Sequence, residues 1–470
     1  FGCAGRQLLS STLGGGGMVS LSETIITSIQ GLSSERDDWR SLEKALEDKA
    51  VQLGQNVGLI DNILLQLSPE QHAIGCVFVL HVKANNIPPA GVDQWDPMFV
   101  QQVKRVIMGG STDQLHFVKR QVCDICRVFT EHCRTGGTSS SMLGVRVLVT
   151  AVEKVRDSPE HLTMIHADAL QLALVAKMVK PVLCLLQQRV LHVSKDCMQP
   201  RDFLLYFYYG GMCFAAIKEM SKALDMFQLA FTMPAQSLNE IMVETYKKFV
   251  LVSLIVHGDV QTLPKYTANL VQRFNKNCCA EYNEIATACY THEVTEVQSC
   301  VEKHKAVMQR DNNYGLAKQV LEAVYSRNIQ RLTQTFVTLS LGDISEQVKL
   351  GDAAQAKKRV LDMIERNMIV ATIDEQMGMV SFDTEPDKTS SQQLLLRLTA
   401  QIQTSMELNN KLRAVDEQMS TSAAYLGKIS IQERQSRWGE ATDFGNGDEM
   451  LVSDSEKPPG FNFGGGRSAY

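Results

Sequence analysis

Between Asn328 and Asp383 the hydrophobic period of this chain changes, and few folds accommodate that change. Ile329, Leu332, Phe336 and Leu339 return every three or four positions, the spacing of a buried helical stripe over Asn328–Leu339. Gly342 is expected to break this helix. Asp343 and Asp352 each stand before a new periodic run, where a carboxylate can accept hydrogen bonds from the free amides of a first turn, so both read as N-caps. The third helix keeps Ala356, Val360, Met363, Ile364 and Asn367 near one face. Ile369, Val370 and Ile373 follow, and their β-branching favours a strand. Gly378 permits a reversal, and Met379, Val380 and Phe382 supply the returning strand.

Three short helices closed on one side by a β-hairpin form the pattern of a winged helix. Such a domain can read DNA by laying its third helix in the major groove. Lys357, Lys358, Arg359 and Arg366 lie on or near the exposed part of that helix, but Asp352, Asp362 and Glu365 offset them. The whole chain carries a net charge of -5. Phosphate neutralisation supplies most of the affinity of a DNA grip, and no concentrated positive field is present. A protein-docking surface is therefore expected, with a nucleic-acid-binding adaptor as the alternative.

The region upstream reads as helix after helix. From Phe203 to Pro234, Phe207, Gly211, Phe214, Ala223, Phe227 and Ala230 stand at the relative spacing of a tetratricopeptide repeat. Gly211 and Ala223 let two helices approach, the aromatic residues fill the groove between them, and Pro234 ends the second. The repeat is degenerate: Gly210 replaces the usual leucine and the proline comes one residue early. Leu162–Ala176 with Val182–Val190, and Leu238–Val256 with Leu263–Phe274, read as further pairs. Earlier helices are expected at Leu59–Leu67, Ile74–Val82, Phe99–Met108, Leu115–Phe129 and Leu143–Val155, with breaks near Pro88, Gly109 and Gly136. The expected fold is thus mostly α, a right-handed solenoid of TPR-like helical pairs ending in a winged helix with a small β-hairpin. A solenoid offers long surfaces to partners.

At 470 residues the chain can bury a sizeable core, and no apolar run approaches the ~20 residues of a membrane span. Residues 1–17 are expected to be a non-native leader, with native translation starting at Met18 rather than Phe1. Twelve cysteines at irregular spacing, without a secretion signal, indicate reduced thiols and a location in cytoplasm and nucleus. Cys123 and Cys126, with His132 and Cys133 behind them, have the spacing of zinc ligands. The cysteines and Phe129 also recur as the buried face of a helix, so core packing is the expectation, zinc the alternative, and no cofactor is expected.

Helical repeats running directly into a winged helix resemble the PCI family, which supplies subunits of the proteasome lid, the COP-nine signalosome and translation initiation factor three. More specific are YFYYGGM at Tyr206–Met212, ETYKKFVLVSLIVHGDVQTLPKYT at Glu244–Thr267, RDNNYGL at Arg310–Leu316 and NIQRLTQTFVTLSL at Asn328–Leu341. In these stretches the chain resembles the branch of the family formed by the signalosome's third subunit, across roughly Ser158–Gly427. The resemblance implies N-terminal helical repeats over residues 18–200, the helical part of a PCI domain over 201–327 and its winged helix over 328–385. It implies a scaffold that supports removal of a ubiquitin-like modifier from cullins, and so regulation of cullin-RING ligases. Its partners would be other PCI subunits and the metalloprotease-type subunits, and no membrane. A PCI subunit of the proteasome lid or of initiation factor three is the alternative. Winged helices in the family join edge to edge, which would place Ile369, Val370, Ile373, Met379, Val380 and Phe382 at a neighbour.

Enzyme signatures are missing from the sequence. No two of the ten histidines stand in His-x-His spacing, as the signalosome's metalloprotease would require, and His161 and His166, five apart, read as lying on different helix faces. No phosphate-cradling loop, dinucleotide fingerprint or HExxH is present, and Asp443-Phe444-Gly445 has no kinase context. Cys278 and Cys279 beside Glu281 have no evident activating partner. Beyond the wing, one helix is expected over residues 388–425, with a stripe through Leu398, Ile402, Leu408, Leu412, Val415 and Met419. The resemblance places this stripe in a bundle with other subunits. Residues 426–470 read as a disordered Gly-rich and acidic tail, with Ser453 a possible phosphoacceptor before an acid at +3.

Overall fold

The computed structural model describes residues 15–33, 36–55, 57–86, 96–194, 198–233, 239–267, 271, 279–382 and 392–431. Residues 1–14 of the expected leader, Pro88, Pro234, Cys278, the DFG tripeptide and Ser453 lie outside that set, while residues 15–17 open the first helix. Two units separate, Phe1–Asp383 and Thr384–Tyr470.

The first unit begins with α1 (Gly15–Leu32), α2 (Trp39–Gln55), α3 (Val57–Gln66), α4 (Ala73–Asn86) and α5 (Pro97–Gly109). It continues through α6 (Thr112–Phe117), α7 (Lys119–Thr135), α8 (Gly137–Val155), α9 (Met164–Val175) and α10 (Leu183–Leu186) to α11 (Pro200–Ala216), α12 (Met220–Thr232) and α13 (Glu240–Val256). Local chemistry sets the ends. Asp96 Oδ1 accepts from the amides of Met98 at 2.9 Å and Phe99 at 3.2 Å, and Pro97 needs no donor in the first turn of α5. The expected break at Gly136 reduces to a hinge, in which Gly137 adopts φ +86° at the start of α8. From α7 to α13 the larger helices pack in sequence on their neighbours, so one apolar core runs through the stack.

Several boundaries differ from expectation. Leu115–Phe129 is two helices, because Val118 leaves helical geometry at φ -97°, ψ 33°. Val182–Val190 contains only a 3-10 turn and the short α10; His192–Val193 (β2) then pairs in parallel with His161–Leu162 (β1). His161 and His166 therefore sit on a strand and on α9 rather than on one helix. Residues 263–267 form a turn instead of a helix start.

The stack continues through α14 (Ala280–Tyr290), α15 (Val294–Lys303), α16 (Lys305–Arg310) and α17 (Tyr314–Thr335). The first helix of the winged helix is the second half of α17, and it stops at Thr335, short of the expected Leu339. Thr338–Ser340 is instead a strand, β3. Gly342 does not break a helix, since it lies within α18 (Leu341–Gln347). The N-cap is Ser340, whose Oγ accepts from the Asp343 amide at 3.0 Å, so Asp343 is not the cap. Asp352 does stand at the cap of α19 (Ala353–Glu365), but its side chain makes no cap bond. Asn367 is exposed, and its φ of 55° ends α19 with the Met368 amide bonding back to Met363. Strands β4 (Ala371–Asp374) and β5 (Met379–Phe382) complete a three-stranded antiparallel sheet in the order β3-β5-β4. Ile329, Ile344, Val360, Met363 and Val380 form a separate core beneath it. In the second unit, α20 spans Gln392–Ser420, and after a break at 421–422 residues 423–431 are also helical, so the first six residues of the expected disordered tail (426–470) are helix; residues 432–470 lie outside the described set.

Candidate assembly surfaces

The hairpin forms from β-branched runs around a turn in which Asp374 Oδ1 accepts from the amides of Gln376 and Met377. Because β5 is central, its backbone pairs with β3 on one side and β4 on the other. The residues expected at a docking edge therefore separate. Val380 and Phe382 are buried and Met379 is half-buried in the middle strand, so they cannot present a sheet edge. Ile369 is buried before β4 begins, Ile373 is half-buried on β4, and Val370 is exposed. The edge strands are β3 and β4. Apolar side chains at their rims are Val337, Val370 and, at the hairpin tip, Met377; the sequence reading missed Val337 because β3 shares the period of the preceding helix. Among the described residues no further strand joins β3 or β4, and outer strands beside exposed apolar groups are suited to pairing with another chain.

Three bases at the third helix of the winged helix have neighbours within the domain. Lys357 pairs with Glu375 at 2.6 Å, Arg366 with Asp362 at 2.9 Å, and the Arg359 guanidinium lies 4.4 Å from the Tyr325 ring centroid. Three of the four bases named on this helix thus have an acidic or aromatic neighbour within the domain, which offsets part of their field toward a phosphate backbone.

A buried polar network built from two of the motifs singled out in the sequence ties α13 and α14 to the segment that leads into α17. Lys247 on α13 donates to Glu244 at 2.6 Å and to Asp311 at 2.8 Å, while Lys248 donates to Asn313 Oδ1 at 2.6 Å. Asn313 Nδ2 donates to the Tyr282 hydroxyl, which donates to Asp311, each at 3.0 Å. Asn313 is fully buried. Burial acts to raise the Asp311 carboxyl, but hydrogen bonds from Lys247 and Tyr282 outweigh it and hold the group below the usual range. Burial lowers Lys248. The network ties α13, α14 and the start of α17 together, and α17 then runs on without a break into the winged helix.

Along α20 the stripe expected to enter a bundle is exposed: Leu398, Ile402, Leu408, Leu412, Val415 and Met419 are each 45–61% accessible. Fully covering such a side chain is worth about 1.5–3 kcal/mol, so the stripe is a large unrealised hydrophobic surface.

Cys123, Cys126, His132 and Cys133 all lie buried on α7, and the structure does not bring them to mutual ligand distance. Burial pushes the Cys133 thiol up to about 12, and it raises Cys126 as well. They are neutral core groups. His132 packs edge-on against Phe99 at 5.5 Å, and burial lowers its pKa. Cys279 is likewise buried. No helix among the described residues is long and apolar enough to cross a membrane.

Comparison with known proteins gives two matching family models. Residues 36–271 match the N-terminal helical repeats of COP9 signalosome complex subunit 3, and residues 301–384 match the PCI domain. The chain is similar to the COP9 signalosome complex subunit 3 of Arabidopsis thaliana, with 33% identity over 428 residues, covering 91% of this chain and 98% of the relative. It is also similar to the protein of that name from Drosophila melanogaster, at 32% identity, covering 87% and 95% respectively.

Proposed function

Because the chain belongs to the COP9 signalosome subunit 3 family, we propose that it is a non-catalytic scaffold of that complex, supporting cullin deneddylation and thereby the regulation of cullin-RING ubiquitin ligases. The observation that carries this reading is the exposed stripe of α20, which needs partner helices to become dry. The outer strands β3 and β4, with Val337 and Val370 at their rims, give a second docking surface for the winged helix of a neighbouring PCI subunit. The chain itself contributes geometry rather than chemistry. Its direct neighbours would be PCI subunits and the metalloprotease-type subunits, in both cytoplasm and nucleus.

The test is affinity purification of the tagged full chain from cells, with identification of the co-purifying proteins and assay for deneddylation of a neddylated cullin. The expected result is a stoichiometric set of PCI and metalloprotease-type subunits carrying the activity, while the isolated chain has none. Recovery with proteasome-lid or initiation-factor subunits instead would overturn the assignment.

A further inference from the structure

Among the described residues, one group of metal-type side chains is drawn together, and the assembly surfaces do not include it. Glu284 stands on α14, Cys300 on α15 and His304 directly after α15, and their ligand atoms all lie within 4.8 Å of one another. A four-residue spacing places Cys300 and His304 on one helical face, and α14 packs against α15 to present Glu284 to that face. His304 Nε2 is 2.7 Å from Glu284 Oε2, and Lys303 Nζ donates to the same oxygen at 2.8 Å. Glu284 and Cys300 also border a cleft of about 790 Å³ walled by Tyr246, Thr287 and Ala288.

We propose that Glu284, Cys300 and His304 bind a zinc-class divalent cation through one carboxylate oxygen, Sγ and Nε2, with water in the fourth position on the cleft side. Sulfur, imidazole and carboxylate at bond lengths of about 2.0–2.3 Å place tetrahedral ligand atoms roughly 3.5 Å apart, so the 2.7 Å contact of His304 with Glu284 opens by about 0.8 Å and the widest pair, within 4.8 Å, closes by about 1.3 Å at most. The thiolate selects zinc over magnesium or calcium, which prefer oxygen. On binding, the S–H bond breaks, its proton passes to solvent and the sulfur–metal bond forms. The Lys303 ammonium leaves Glu284 for water, which it can do because its side chain is 66% exposed. Three protein ligands and an open position distinguish this site from a closed structural zinc site.

Cobalt titration of the reduced full-length chain tests the site, with zinc as competitor. The expected result is one saturable equivalent showing a thiolate-to-cobalt charge-transfer band and tetrahedral visible bands, both lost when zinc is added. Cys300→Ser removes the charge-transfer band, and His304→Gln weakens binding at least ~10-fold. Lys303→Met tightens binding several-fold, because it deletes the competing cation. Thermal unfolding without metal is followed for each variant, so that lost binding counts only in a folded chain. A wild-type titration without saturation, or a charge-transfer band that survives in folded Cys300→Ser, overturns the proposal.

Discussion

A Cβ built on Gly211 would stand 2.5 Å from the Phe227 ring, so α11 and α12 can meet only where that side chain is absent. At Gly210 the nearest atom is the mobile end of Met226 at 3.0 Å, which can move aside. Gly211→Ala should therefore cost about 1–3 kcal/mol and Gly210→Ala clearly less, as measured by chemical denaturation of the full chain. The repeat spacing in the sequence marked Gly211 for this role, since small residues at helix crossings follow from geometry. Asp168 carried no such mark, because its environment is made by residues distant in sequence. Its Oδ2 is enclosed without a hydrogen-bond partner, and nearby Arg127 donates to Asp202. Burial, aided by Asp202 and Glu131 and opposed by Arg127, pushes the Asp168 carboxyl up to about 7. With the folded pKa above the unfolded one, its stabilising contribution is complete below about pH 4 and is lost as pH rises to about 7. Asp168→Asn should therefore raise the melting temperature at pH 8 and do little at pH 4, a difference on the order of a few kcal/mol. Equal shifts at both pH values would refute the burial of this charge.

Elements were legible where one period governed them and illegible where two fitted. The stripe of α19 and the turn before β5 follow from apolar spacing and Gly378. Strand β3 did not, since Leu339 fits both a helical stripe and a buried strand position and only pairing with the distant β5 decides between them. That pairing also makes β3 and β4 the outer strands and encloses Met379, Val380 and Phe382 in the central one. Changing Val337 and Val370 to Asp, at exposed rim positions, should reduce incorporation into the complex while leaving the melting temperature nearly unchanged. The joint between α13, α14 and the start of α17 is the opposite case, because it is buried and polar. Asn313→Ala leaves the Lys248 ammonium buried without its oxygen and should destabilise by roughly 2–4 kcal/mol, read by denaturant unfolding. In the second unit, α20 has an apolar face that the described residues leave exposed. Deleting residues 390–425 should leave a folded chain by circular dichroism that no longer incorporates stably, and normal incorporation would sink the bundle assignment.

For the whole molecule, charge decides between the two uses of a winged helix. The sequence exposed the balance, a net -5 with acids interleaved among the bases of α19, but not where the bases point. The structure adds that Lys357 and Arg366 are ion-paired and Arg359 rests on Tyr325. A duplex approaching this helix would have to displace these partners while being repelled by the net charge of the chain. Nonspecific DNA binders reach Kd values of about 10⁻⁴–10⁻⁶ M at physiological salt by releasing condensed counterions, and their affinity falls steeply as salt increases. Fluorescence anisotropy with random duplex should accordingly show binding weaker than ~10⁻⁴ M at ~150 mM salt, with no steep salt slope between ~50 and ~200 mM. Replacing Glu375 and Asp362 with Gln and Asn frees Lys357 and Arg366, so this variant should bind DNA more tightly than the wild type and acquire a salt slope. A steep slope already present in the wild type would mean that the ion pairs open on contact and that the helix reads phosphate after all.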